Sequence, residues 1–383
     1  MERVIYNLPV DWSWVPLGKV ATLLNGRAYK QTELLAEGPT PVLRVGNFFS
    51  NRSWYYSDLD LPDDKYCDKG DLLYAWSASF GPKIWQGPKA IYHYHIWKIL
   101  PSEYIDKKFL FYLLEKDSEE IKAQGNGVGM FHATKGGMEK MLVPLPPVTE
   151  QKRIVDKLDA LLTRIDTAVE YLQENLDASK SLLASALFER FHQEVNPTPI
   201  KDIFNVYNGR AYKKPELLDS GKYKVIRIQN LKGGENYYYS DLELDENKYC
   251  ESGDLLFSWS GTPGTSFGAF IWNDEKAIYH YHIWKMEPKV EIAPRYAYWV
   301  LKDITEEAIA SARGVAGMLH ITKGTMESFV VSLPSYEAQQ KIAKELDELA
   351  LKSEKLEVEI SLKIDSLKHL KASILDSAFK GEL

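Results

Sequence analysis

Apolar positions recur every seven residues through one long stretch of this chain. Between Glu150 and Glu194 there is neither Gly nor Pro. Val155, Leu162, Val169, Leu176 and Leu183 fall on one heptad position, and Leu158, Ile165, Leu172, Ser179 and Ala186 on another. Such a run predicts one long helix with a coiled-coil seam. The stretch from Ala338 to Lys380 is built likewise, with Leu346, Leu349, Leu356, Ile360, Leu367, Leu370 and Ile374, and Ser353 and Lys363 interrupt its seam. Both stretches far exceed the roughly 11–12 residues of an average globular helix.

The rest of the chain follows other rhythms. Ile91 to Ile99 alternates as a strand should, and Asp71 to Trp76 reads as another strand after a Gly turn. Lys107 to Leu114 and Tyr296 to Ile304 are helical in pattern. These mixed α+β segments occur twice. Asn25-Gly26-Arg27-Ala28-Tyr29-Lys30 returns unchanged as Asn208 to Lys213, and Lys89 to Lys98 returns unchanged as Lys276 to Lys285. The molecule is therefore one unit of about 190 residues used twice. Its expected domains are a first module over 1–148, a long helix over 149–195, a second module over 196–336 and a second long helix over 337–383.

Geometry narrows the arrangement. A helix of about 45 residues is roughly 65–70 Å long. The linker Asn196-Pro197-Thr198-Pro199 reaches only about 14 Å. The second helix can then bury its seam only by running back along the first. The expected fold is α+β: two similar mixed modules separated by two antiparallel coiled-coil helices, with a pseudo-two-fold axis.

Composition adds limits. Among 383 residues there is no apolar run near membrane-spanning length, and Met1 to Tyr6 has no signal-peptide core. Cys67 and Cys250 occupy matching places in the repeat, which argues against a disulfide framework and for a reducing, cytoplasmic setting. The net charge of −7 runs against the basic footprint of a nucleic-acid binder. Either the cations cluster on one face, or a partner supplies much of the phosphate contact.

No catalytic signature emerges. Asn196-Pro197-Thr198-Pro199 is not an amino-methyltransferase motif, and no Walker A sequence is present. Gly125-Asn126-Gly127-Val128-Gly129 has the wrong spacing for a dinucleotide loop and reads as a surface or DNA-facing loop. His93 and His95, with counterparts His280 and His282, read as hydrogen-bonded histidines on one face of a packed strand, since no further ligand sits at metal-site spacing. The two cysteines read as buried thiols.

The segment Val143-Pro144-Leu145-Pro146-Pro147-Val148-Thr149-Glu150-Gln151-Lys152-Arg153-Ile154 resembles the motif that opens the long helix in specificity subunits of type I restriction-modification enzymes. Leu333 to Ala343 is a looser second copy, departing at Ser335 and at Ala338-Gln339-Gln340. The ending Ser373 to Leu383 and the opening Trp14 to Val20 also resemble that family, and the order module–helix–module–helix matches throughout. The resemblance implies a non-catalytic subunit. Each module would be a target recognition domain for half of a bipartite double-stranded DNA site. The helices would dock two modification subunits that hold S-adenosylmethionine and methylate adenine. ATP-using restriction subunits would join for cleavage, and this chain itself would carry no cofactor or metal.

DNA-reading candidates are polar loop residues, either repeated or changed between copies. Arg27, Tyr29 and Lys30, with Arg210, Tyr212 and Lys213, read as phosphate contacts or as a structural turn. His132, Thr134 and Lys135, with His320, Thr322 and Lys323, form a second repeated loop. Arg44 and Asn47, with Arg227 and Asn230, have base-reading side chains, though repetition equally fits an internal network. If they read bases, the half-sites are imperfect inverted repeats. The differences are Gly46 against Gln229, Arg52 against Glu235, Lys83 against Phe270, and an insertion after Trp259 that includes Thr262. A coiled-coil adaptor with protein-binding modules, or an enzyme with a hidden site, remain the rival readings.

Overall fold

The computed structural model describes residues 6–50, 53–77, 79–124, 134–191, 196–262, 265–311 and 319–383. The chain divides into two compact units, one of residues 1–172 with 361–383 and the other of residues 173–360.

In the first unit, four antiparallel strands order as Ala21–Asn25, Ile96–Pro101, Leu72–Ser77 and Ser79–Ile84. A second sheet orders as Tyr55–Ser57, Thr40–Leu43, Ala90–Tyr92 and Tyr66–Cys67, with one parallel pairing, Val42 opposite Ile91. The helix Lys107–Gln124 packs on the first sheet. The second unit repeats both sheets, as Phe204–Asn208, Ile283–Pro288, Leu255–Ser258 and Gly268–Ile271, and as Tyr238–Ser240, Tyr223–Ile226, Ala277–Tyr279 and Tyr249–Cys250. Pro294–Ser311 is its packed helix. The second unit also pairs Ser260–Gly261 with Leu319–His320.

One expectation fails here. Ile91 to Ile99 is not one strand. Ala90–Tyr92 and Ile96–Pro101 belong to different sheets, and His93-Tyr94-His95 is the turn between them. The Ile96 amide donates to the His93 carbonyl at 2.9 Å and closes that turn. Residue types alternate through the corner although burial does not, so polarity alone did not reveal it.

The long helices are continuous, Val148–Phe191 and Tyr336–Lys380. Within each unit their portions run in opposite directions. In the first unit Arg153 donates to the Leu383 carbonyl, and Lys371 pairs with Asp166 at 3.1 Å. In the second, Arg190 meets Glu345 at 2.9 Å and Ser179 meets Ser353 at 2.9 Å. The first-helix seam is buried at Val155, Leu158, Leu162 and Ile165 and half-buried at Val169 and Leu172.

The second helix holds a different frame from the expected one. Leu346 and Ile360 are buried, Leu349 and Leu367 half-buried, but Leu356 is 42% exposed and Leu370 is exposed as well. Ser353 turns inward to its hydroxyl partner, and Ile364 rather than Lys363 is buried. The buried and half-buried positions Ala343, Leu346, Ala350, Ser353, Glu357, Ile360, Ile364 and Leu367 step by threes and fours, so Ser353 lies on the seam and Lys363 one residue off it.

Each module is fastened to a helix by a glutamine of the opening motif. Gln151 is fully buried. Its Oε1 accepts from the Asp106 amide at 2.7 Å, and its Nε2 donates to the carbonyls of Tyr104 and Pro146 at 2.9 and 2.8 Å. Gln339 repeats this with the Ala293 amide and the Pro334 carbonyl. A buried amide with both ends paired avoids the cost of an unsatisfied polar group. Nearby, Asp159 accepts from Lys108 and Tyr112, and Asp347 from Arg295 and Trp299.

Candidate nucleic-acid interface

The repeated loop at Asn25 to Lys30 is shaped by one close approach. A Cβ on Gly26 would collide with the carbonyls of Tyr92 and His93, and one on Gly209 with those of Tyr279 and His280. Only glycine lets the loop lie there. Arg27 then makes a two-pronged bridge to Glu33, at 3.0 and 2.7 Å, with its guanidinium 5.2 Å from the Tyr29 ring. That bridge holds the Glu33 carboxyl down near 2. Tyr29 donates to the Tyr92 carbonyl at 3.3 Å. Arg210, Glu216 and Tyr212 reproduce every element. Of the two readings of Arg27, Tyr29, Arg210 and Tyr212, these contacts fit the structural turn, since their polar groups pair within the fold. Lys30 and Lys213 stay exposed.

The turn His93-Tyr94-His95 lies against this loop, and the Tyr94 amide donates to the Arg27 carbonyl. Trp76 donates its indole N–H to the Tyr94 carbonyl at 2.9 Å and stacks on Trp97, which stacks on Tyr74. Trp259, Tyr281, Trp284 and Phe257 do the same in the second module. Tyr94 and Tyr281 are left 40% and 39% exposed at the crest of each turn. His93 is pushed down to about 4 by burial first, then by His95 and Arg44. His280 is pushed equally low by burial, His282 and Arg227. Both rings are therefore neutral at pH 7. Sequence reasoning overlooked these aromatics; their one legible sign was the identical Lys89–Lys98 and Lys276–Lys285 segments.

Beside the turn, Arg44, Val45, Gly46, Asn47, Ser53, Tyr55, His93 and His95 line an open cleft. Arg44 is exposed and lies 5.1 Å from the centre of the Tyr55 ring. Asn47 donates to the Ser53 carbonyl at 3.2 Å and so closes its own loop. In the second module Asn230 is buried. Its Oδ1 accepts from the Arg227 amide at 2.9 Å, and its Nδ2 donates to the carbonyls of Gly234 and Asn236. Asn230 thus fits the internal network, the other of its two expected roles. Arg227 lies 4.3 Å from the Tyr238 ring and donates to the Asn236 carbonyl at 3.4 Å. Gln229 is exposed and reaches the same carbonyl at 3.4 Å.

The remaining described candidates do not line that cleft. Lys83 donates to the Phe48 carbonyl at 3.0 Å, bracing the short helix after Arg44. Lys135 opens a short helix capped by Thr134 and sits 3.6 Å from Glu139. Lys323 donates to the Val206 carbonyl at 2.8 Å. His320, in the extra strand pair, has its ring 5.9 Å from Trp259. Thr262 caps the inserted turn, its carbonyl accepting from the Thr265, Ser266 and Phe267 amides. Arg52 and His132 lie outside the described residues, as does the loop Gly125 to Gly129. Cys67 and Cys250 are buried free thiols, and burial pushes the Cys67 thiol up to about 12.

Comparison with known proteins settles what this two-module chain is. The model of the type I restriction modification DNA specificity domain matches twice, over residues 9–174 and 193–365. The chain belongs to this family. It is a specificity subunit, not a catalytic one. The type I restriction enzyme EcoBI specificity subunit of Escherichia coli is 24% identical, over 97% of this chain and 86% of that one. A chain solved in a study of complex assembly and conformational transition of the type I R-M system matches 99% of this chain and 100% of its own length, at TM-score 0.73 and 19% identity. The HsdS subunit from Thermoanaerobacter tengcongensis matches over the full length of both, at TM-score 0.53 and 19% identity. These solved relatives show a shared specificity-subunit fold. No described helix is long and apolar enough to cross a membrane.

Proposed function

We propose that each module of this specificity subunit reads one half of a bipartite double-stranded DNA target, while the long helices dock two modification subunits and set the spacing between the half-sites. The observation that carries the first part is the repeated pairing of an arginine on a tyrosine ring with a fixed imidazole–tyrosine turn, next to positions that differ between copies, Gly46 and Gln229. A constant frame with variable polar tips is what two related but unequal half-sites require.

Docking is supported by apolar side chains on the helices that no core covers. In the second unit Leu182, Phe188, Leu351 and Val358 are more than half exposed, and in the first Tyr171 and Leu362 are too. Large exposed apolar groups mark contact surfaces. Partner subunits in the cytoplasm would hold S-adenosylmethionine, and restriction subunits would use ATP. They would also contribute the cations that a chain of net charge −7 lacks.

The adaptor reading draws on that same charge, so the test turns on partners. Gel-shift with and without modification subunits should give weak binding by the lone chain and tight, strongly salt-dependent binding by the complex. Sequencing of methylated sites should give two half-sites with a fixed spacer. A complex that binds no DNA would leave the adaptor. Removing residues 162–168 with the seven facing residues of the second helix shortens the pair by about 10.5 Å. The spacer should then contract by roughly three base pairs, taking about 3.4 Å for each.

A further inference from the structure

Arg44 differs from the other described arginine of the first module. Arg27 is bridged to Glu33, whereas no carboxylate, carbonyl or hydroxyl among the described residues accepts from the Arg44 guanidinium. Its plane is supported by Tyr55, so the fork is both held and open. It stands at a cleft of about 360 Å³, room for the edge of a base rather than a single small ion. Gly46 adds no side chain there, and the Asn47 amide is turned to the Ser53 carbonyl. Among the described residues the cleft's strongest donor is therefore a guanidinium fork, which matches two neighbouring acceptors.

In the major groove guanine alone presents such a pair, O6 with N7, whereas adenine pairs an acceptor with a donor. A phosphate would also accept from arginine, and a second cation beside the fork would favour it. Here the neighbouring His93 is neutral at pH 7. The second module is different. Arg227 donates to the Asn236 carbonyl, Gln229 replaces Gly46 and shares that carbonyl, and the loop is locked by buried Asn230.

Resting on the DNA-reading function proposed above, we propose that Arg44 reads a guanine in the half-site of the first module by donating to its O6 and N7, and that Arg227 makes no equivalent two-pronged contact. The half-sites then differ at this position although the arginine is common to both modules.

The test is methylation mapping with the full complex of this chain and its modification subunits, for the wild type and for Arg44→Gln, Arg44→Lys and Arg227→Gln. Arg44→Gln should relax one guanine in one half-site, lowering its preference roughly tenfold or more. Arg44→Lys keeps the charge but not the fork and should relax the same base. Arg227→Gln should leave every guanine preference in place. The unchanged half-site in each methylated sequence reports that the variant is folded. Weakening of all sequences alike by Arg44→Gln, with Arg44→Lys as wild type, would make Arg44 a phosphate contact and overturn the proposal. So would a guanine relaxed by Arg227→Gln. A wild-type complex that methylates no defined sequence would instead remove the DNA-reading function itself.

Discussion

The loop at Asn25 to Lys30 and the loop after Arg44 lie on either side of one histidine turn, yet they have opposite chemistry. The first is identical in both modules, and its arginine, tyrosine and glutamate are paired with each other or with main chain. The second differs between modules, and in one of them no described residue accepts from its arginine. Exact repetition within a chain thus marks the frame that both copies need. Divergence on the same frame marks where the copies do different work.

The sharpest way to break this comparison is to add a methyl group to the frame. Gly26→Ala should destabilise the first unit by about 2–3 kcal/mol or more, because the collision is with main-chain carbonyls that cannot move aside. Thermal unfolding of the full chain checks it. Gly136→Ala, where a Cβ meets nothing within 4 Å, is the control and should be neutral or slightly stabilising.

Asn230 and Asn47 sharpen it from the other side. Asn230→Ala should cost about 1–3 kcal/mol, since it removes a buried amide that makes three hydrogen bonds and leaves the Arg227 amide and the Gly234 carbonyl without that partner. Asn47→Ala, at a half-buried site, should cost less, about 0.5–1.5 kcal/mol. If Asn47→Ala instead left stability intact and changed the methylated sequence, the asparagines would belong to the reading set.

Gln229→Gly makes the second loop resemble the first. Glutamine can pair two-pronged with adenine, and a good pair discriminates by about 1–3 kcal/mol. The variant should therefore relax one base of one half-site, read by methylation mapping. An unchanged target would make Gln229 a surface residue only.

The smallest effect concerns acid. The unfolded imidazole takes a proton near its ordinary 6.5, while His93 in the fold takes one only near 4. Across that window the unfolded chain binds more protons, so stability falls as pH drops from about 6.5 to about 4. His93→Gln and His280→Gln should each flatten this slope in urea titrations at several pH values.

Much of the architecture was legible because its signals are local. Forty-odd residues without Gly or Pro, apolar at every seventh place, have a helix's pattern and a seam to pack it by. The frame of the second helix was not legible. Leu356 and Leu370 looked like seam residues and are exposed, while Ser353 looked like a fault and is buried. Its hydroxyl meets Ser179, which lies 174 residues away, and Glu357 one turn on, partners that the spacing of apolar residues does not show. The site was harder still. Asn47 and Asn230 have the side chain of a base reader, but the carbonyls they bind are set by how their loops close. Arg27 and Arg44 are indistinguishable in sequence, and only the reach of Glu33 separates them.

The two glutamines at the module–helix junctions carry a further consequence. Gln151 and Gln339 grip peptide N–H and carbonyl groups, not side chains. A peptide group is the same for almost every amino acid. At these contacts the seat does not depend on the module's side chains, whereas the pairs of Asp159 with Lys108 and Tyr112 and of Asp347 with Arg295 and Trp299 do, so a module can vary elsewhere on its surface and keep its seat as long as those partners are kept.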